Sequence, residues 1–108
     1  MAGISATGQA KVKDGFAPLL EGFTHVPYND IDAVHSAITP ATKAIVAVDH
    51  TGQPCDLDEI RAIAKQHGIT VIEDAAHALG ATYKGRPVGA LSDMTMFSFH
   101  PVKHITTG

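Results

Sequence analysis

The chain has 108 residues, 44% of them hydrophobic and 18% charged, a composition that suits one soluble globular domain with a modest core and not a disordered segment. A formal charge of −3 and a pI near 6.1 leave no basic face to attract nucleic acid or an anionic membrane, so neither is expected as a partner. The longest wholly apolar run, Ala44 to Val48, is far short of the roughly 20 residues of a spanning helix, and no basic region followed by an apolar stretch opens the chain. The expected location is therefore the cytoplasm, which the lone Cys55, unable to form an internal disulfide, also fits.

The first 28 residues show little periodicity, and their glycine-punctuated stretches predict irregular structure with one short helix. A helix is expected from Asn29, since Asn29 or Asp30 can cap it and Ile31, Val34 and Ile38 recur at helical spacing. Thr39-Pro40 should end it, because the residue before a proline disfavours the helical conformation. Lys43 to Asp49 reads as a buried parallel strand with an acid at its carboxyl end, and Gly52-Gln53-Pro54 then turns the chain.

The next helix carries the clearest pattern. Asp56 is the expected cap, Glu59 its capping-box partner, Leu57, Ile60, Ile63 and Ala64 the apolar face, and Gly68 the stop. Ile69 to Ile72 follows as a second buried strand that ends in Glu73-Asp74, and the strand–helix–strand order implies a parallel crossover. Beyond it lie Ala81 to Lys84, a Gly85-Arg86-Pro87 turn, and an alternating third strand from Met94 to Phe99. The fold class is thus α/β with a mostly parallel sheet. Two good helices are too few to cover both faces of three parallel strands, so the chain reads as part of a larger domain.

In open α/β sheets the working residues collect past the carboxyl ends of the strands. Three groups fall there: Asp49-His50, Asp74 with His77, and Ser98 to Lys103. An acid, an imidazole, a hydroxyl and a lysine on one edge suit a phosphorylated pyridine cofactor, which needs an amine for covalent attachment and a carboxylate opposite the ring nitrogen. Metal binding is not expected. His100 and His104 are four apart, but Pro101 interrupts the spacing and there is no second cysteine. Glu73, beside Asp74 on a strand, must point to the other side and reads as structural.

Two segments, Glu73-Asp74-Ala75-Ala76-His77-Ala78-Leu79-Gly80-Ala81 and Phe97-Ser98-Phe99-His100-Pro101-Val102-Lys103-His104-Ile105-Thr106-Thr107-Gly108, closely resemble the signature blocks of the DegT/StrS family of sugar aminotransferases. The resemblance includes Asp49 to Leu57 and runs over about residues 43–108. It implies the large domain of a fold-type-I, pyridoxal-5'-phosphate-dependent transferase. Lys103 would be the lysine that holds the cofactor, Asp74 the partner of the pyridine nitrogen, His77 the group beside the ring, and Ser98 a hydroxyl for the phosphate. The implied reaction moves an amino group from an amino acid such as glutamate to a keto nucleotide-sugar. Within the family, His77 and the pattern at Asp49 to Gly52 look most like the enzymes that aminate C4 of a UDP-linked keto sugar on the way to pseudaminic acid.

Residues 1–45 are worded differently. Ile4 to Gln9, Gly15 to Leu19 and Gly22 to Asp30 look like class III aminotransferases of the acetylornithine type, with the change falling within Ile38 to Ile45. Both families share fold and cofactor. The expectation is therefore an incomplete cofactor-binding domain, 1–45 class III-like and 43–108 DegT/StrS-like, lacking the small C-terminal domain and drawn from a family that forms homodimers. The alternatives are an acetylornithine-type enzyme or a fragment with no activity of its own.

Overall fold

The computed structural model describes residues 2–106; Met1, and Thr107 and Gly108 at the end of the second signature segment, lie outside the described residues. Its centre is a parallel three-stranded sheet of β1 (Ala44–Val48), β2 (Thr70–Asp74) and β5 (Met94–Met96), in the order β1-β2-β5. Register pairs Val46 with Ile72 and Ile72 with Met94, then Val48 with Asp74 and Asp74 with Met96. The expected parallel strand–helix–strand unit is present, with β2 in the middle. β2 runs two residues further than its apolar run predicts, because Glu73 and Asp74 are both paired on either side. β5 stops three residues earlier than its alternation predicts. The last bond along it is Ala75 N–H to Met96 O at 2.9 Å, after which β2 turns away and leaves Phe97 to Phe99 no strand to pair with.

Helix α4 (Leu57–His67) packs across β1 and β2, and α3 (Ile31–Ala37) packs against α4. The predicted apolar face is the buried one: Leu57, Ile60, Ile63 and Ala64 are all buried. Leu57, Ile60 and Ala64 meet Ala47 of β1 and Val71 of β2, with Cys55, Tyr83 and Leu91 closing the cluster. Each large side chain of this kind contributes about 1.5–3 kcal/mol on burial. Gly68 ends α4 in the left-handed conformation at φ 65°, its N–H reaching the carbonyls of Ala64 and Lys65.

The start of α4 differs from the predicted capping box. Asp56 makes no side-chain bond to its own helix. Asn29, at φ 55°, clamps it instead: Asn29 Nδ2 donates to Asp56 Oδ2 at 2.8 Å, and Asp56 N–H donates to Asn29 Oδ1 at 2.7 Å. The N–H that Glu59 would have accepted is therefore taken, and Glu59 Oε2 accepts from the Tyr83 hydroxyl at 3.5 Å. Asp30 is the cap of α3, accepting from Ala33 N–H at 2.9 Å, and α3 ends at Ala37, just ahead of Thr39-Pro40.

Before α3 the chain forms two short helices, α1 (Ala2–Ala6) and α2 (Ala10–Lys13), one more than expected, and an extended stretch. A two-residue hairpin joins β3 (Thr82–Tyr83) to β4 (Arg86–Pro87). Its turn is Lys84-Gly85, both at positive φ, one step earlier than expected, so Arg86 and Pro87 belong to the returning strand.

A second small cluster of Ala75, Ala78 and Val88 packs with Ala81 and Phe97. Gly89 lies against the Phe97 ring at φ 97°, where an added Cβ would come within 2.8 Å of Cζ. Gly89→Ala is expected to cost about 1–3 kcal/mol, from backbone strain and the ring clash together. Denaturant unfolding measures it, and a cycle with Phe97→Ala should return part of the loss.

The other face of the sheet is open. Val46, Val48, Met94 and Met96 are 54%, 41%, 59% and 51% exposed, on the side opposite α4. A parallel sheet ordinarily buries such a face under further helices.

Candidate functional site

Because β2 is central, its carboxyl end lies between the ends of its two neighbours. Asp49 N–H, just past β1, donates to Asp74 O at 3.0 Å, and Ala75 N–H reaches across to β5. The three chemistry-bearing groups expected at this edge are therefore adjacent in the sheet. Asp74 ends β2 half-buried, and its Oδ1 accepts from Ala76 N–H at 3.1 Å, which bends the chain. Oδ2 has no hydrogen-bond partner among the described residues.

The turn continues with Ala78 N–H donating to Ala75 O at 2.9 Å. Both alanines are buried, and small side chains there let the turn sit against Val88 and Ala81. Between them His77 faces outward. The β1–α4 turn closes over its backbone: Gly52, at φ 82°, would place a Cβ 3.5 Å from His77 O.

Past β5 the chain runs without regular structure. Lys103 sits in a turn in which its N–H donates to His100 O at 2.8 Å. Its Nζ lies 2.6 Å from His77 Nε2, a contact between the two signature segments across 26 positions of sequence. Sequence reasoning placed both residues at this edge without pairing them. Their strands are neighbours, which was the signal available. Ser98 is half-buried, and its Oγ accepts weakly from His100 N–H at 3.4 Å. No hydrogen bond joins Ser98 to Asp74, His77 or Lys103 among the described residues.

Other candidates resolve into structural parts. His50 packs its ring on Tyr28, centroids 5.9 Å apart, and the Tyr28 hydroxyl donates to Gln53 O at 3.1 Å. Cys55 is buried, its thiol pushed up to about 12 by burial first and the Asp49 charge second. Lys84 is paired with Asp58 at 2.8 Å on the surface. The described residues contain no group of three or more His, Cys, Asp or Glu able to hold a metal, and no helix long and apolar enough to cross a membrane.

Comparison with known proteins covers nearly the whole chain. Residues 3–108 match the model of the DegT/DnrJ/EryC1/StrS aminotransferase family. The matched range includes most of the N-terminal residues whose wording looks like class III aminotransferases. The protein MJ1066 of Methanocaldococcus jannaschii is 46% identical over 105 residues, 96% of this chain and 27% of that protein. Among solved structures, PseC of Helicobacter pylori, an aminotransferase of pseudoaminic acid biosynthesis, is 32% identical with a TM-score of 0.72, covering 82% of this chain and 24% of PseC. Spr1654 from Streptococcus pneumoniae, in its PLP form, is 39% identical with a TM-score of 0.67, over 71% of this chain and 24% of that one. The chain thus spans about a quarter of the length of the relatives it matches.

Proposed function

This chain belongs to the DegT/DnrJ/EryC1/StrS aminotransferase family, and on that premise we propose that it supplies the lysine-bearing edge of a pyridoxal-phosphate site. The reaction is transfer of an amino group from an amino acid such as glutamate to a keto nucleotide-sugar. The likeness to PseC supports a 4-keto sugar of the pseudaminic acid type as acceptor. The small domain, the rest of the cofactor pocket and a homodimeric partner belong to the same reading, which the one-quarter coverage of the relatives and the open sheet face support. A cytoplasmic setting, supported by a lone unpaired cysteine, is part of it.

The residues fit the cofactor on the structure's own terms. Lys103 offers a primary amine, Asp74 a carboxylate oxygen not used by the fold, and Ser98 a hydroxyl. Pyridoxal phosphate, when bound, supplies an aldehyde carbon for amines and an electron-accepting ring. Lys103 would hold that carbon covalently and move a proton at Nζ. His77 Nε2, 2.6 Å away, orients the amine and exchanges a proton with it. Asp74 would keep the ring nitrogen protonated through a charge-assisted hydrogen bond, and Ser98 would donate to phosphate.

The Lys103–His77 contact carries the proposal, because it joins the two segments that the chemistry requires together. The test is to mix the purified chain with pyridoxal phosphate, reduce with borohydride and map the modified lysine by mass spectrometry. Label concentrated on Lys103 is the expected result. Label spread over Lys11, Lys13, Lys65 and Lys84 would overturn it.

A further inference from the structure

Behind the candidate site, on the side of β2 turned away from Asp74, two carboxyl groups are closed off from solvent. Asp49 is 1% exposed and Glu73 0%. Asp49 Oδ1 accepts from the Cys55 N–H at 3.3 Å and from its thiol at 3.8 Å. Glu73 Oε2 accepts from the Thr95 hydroxyl at 3.0 Å. The remaining oxygens, Asp49 Oδ2 and Glu73 Oε1, are buried without a hydrogen-bond partner. Register makes the two residues neighbours: Glu73 pairs with Ala47, and Asp49 lies two residues beyond Ala47 on the same side of the sheet.

Two carboxylates can only accept, so as a pair of anions neither can satisfy the other, and two unpaired buried charges are costly. A proton on one converts the contact into an O–H···O bond. We propose that Asp49 and Glu73 share a single proton, and that this pair is a positioning device that locks the end of β1 onto β2 behind Asp74. Through Asp49 it also holds the β1–α4 turn, whose Cys55 N–H it accepts. The inference stands on these buried groups and is independent of the pyridoxal reading.

Among the described residues no cation pairs with either carboxyl to neutralise a second charge. Facing the pair are Thr95 from β5 and the Cys55 thiol from the turn before α4, while the Tyr28 hydroxyl before α3 donates to Gln53 O instead. That phenol is raised by burial first, partly offset by a hydrogen bond to backbone. None of these is a cation, and neither carboxyl forms an ion pair among the described residues. Asp49 is accordingly raised from 3.8 to about 6, by burial first and the neighbouring Glu73 carboxyl second. The folded chain thus holds this proton more tightly than the unfolded one. The associated stability is fully present below about pH 4 and is lost as the pH rises through about 6.

Asp49→Asn tests the pair. Its amide can donate to Glu73 at every pH while its carbonyl keeps the Cys55 bond. The melting temperature of the variant minus that of the native chain, measured from pH 4.5 to 8, is expected to be near zero or negative at the acid end. Above pH 6 it should rise by on the order of 5 °C. Glu73→Gln should show the same trend, and the double variant should show no further loss of pH sensitivity, because one proton serves both groups. Infrared difference spectra at pH 5.5 should contain a protonated-carboxyl band that both single variants remove. A melting difference that is constant with pH, or absence of that band, overturns the proposal. So does absence of a cooperative transition in the native chain at pH 4.5, since the pair would then not be buried.

Discussion

Lys103→Ala and Lys103→Arg are both expected to abolish the borohydride-fixed pyridoxal label that the native chain takes up at position 103. Alanine removes the nucleophile. Arginine keeps the positive charge and much of the reach, but its guanidinium is not deprotonated in proteins and cannot attack the aldehyde. Loss in both variants separates covalent attachment from mere attraction of an anionic phosphate. The amine of Lys84 is held above the usual lysine range by its hydrogen bond to Asp58 first and by Tyr83 second, so it is expected to take less label than an unpaired surface lysine. Lys103 is half-exposed and its side chain makes one hydrogen bond, to His77, so removing it should change unfolding free energy by no more than about 0.5 kcal/mol. Unchanged melting with lost label is the combined signature. A variant that still labels at full stoichiometry would remove Lys103 from the site.

What was legible in the sequence is what local spacing encodes. The apolar stripe of α4, its glycine stop, the Asp30 cap and the two apolar strands follow from periodicity and end chemistry, the strands to within two residues at their ends. That the carboxyl ends of β1, β2 and β5 share one edge was legible too, because parallel strands bring their carboxyl ends together. The resemblance of the signature segments implied chemical roles for their residues, which remain a proposal.

What was not legible depends on partners distant in sequence. Asp56 and Glu59 have the spacing of a capping box, but Asn29, 27 positions before Asp56, claims the groups that would form it. The alternation from Met94 to Phe99 is a strand pattern throughout, yet a strand ends where its neighbour turns away, and nothing within those residues records that Ala75 does so. Glu73 was read correctly as facing away from Asp74. That it meets a second buried acid there required the register between β1 and β2. The Lys103–His77 contact is of the same kind, set by which strands are adjacent.

The same distinction sets where the chain is fragile. Leu57, the first residue of α4, is fully buried among Ala47, Ile60, Ala64, Val71, Tyr83 and Leu91. It is the point at which helix, sheet and hairpin meet. Leu57→Ala removes its transfer energy and leaves a cavity that rigid strands on one side and a helix on the other cannot close, a loss of about 2–5 kcal/mol. Folded domains of this length hold roughly 5–15 kcal/mol in total, so the variant should unfold at markedly lower denaturant with an unchanged slope. Val46→Ala provides the contrast: its side chain is larger than alanine by two methyl groups yet is 54% exposed on the open sheet face, and its cost should stay within about 1 kcal/mol. If the two substitutions cost the same, the open face is covered in solution, and the sheet is buried on both sides as parallel sheets elsewhere are.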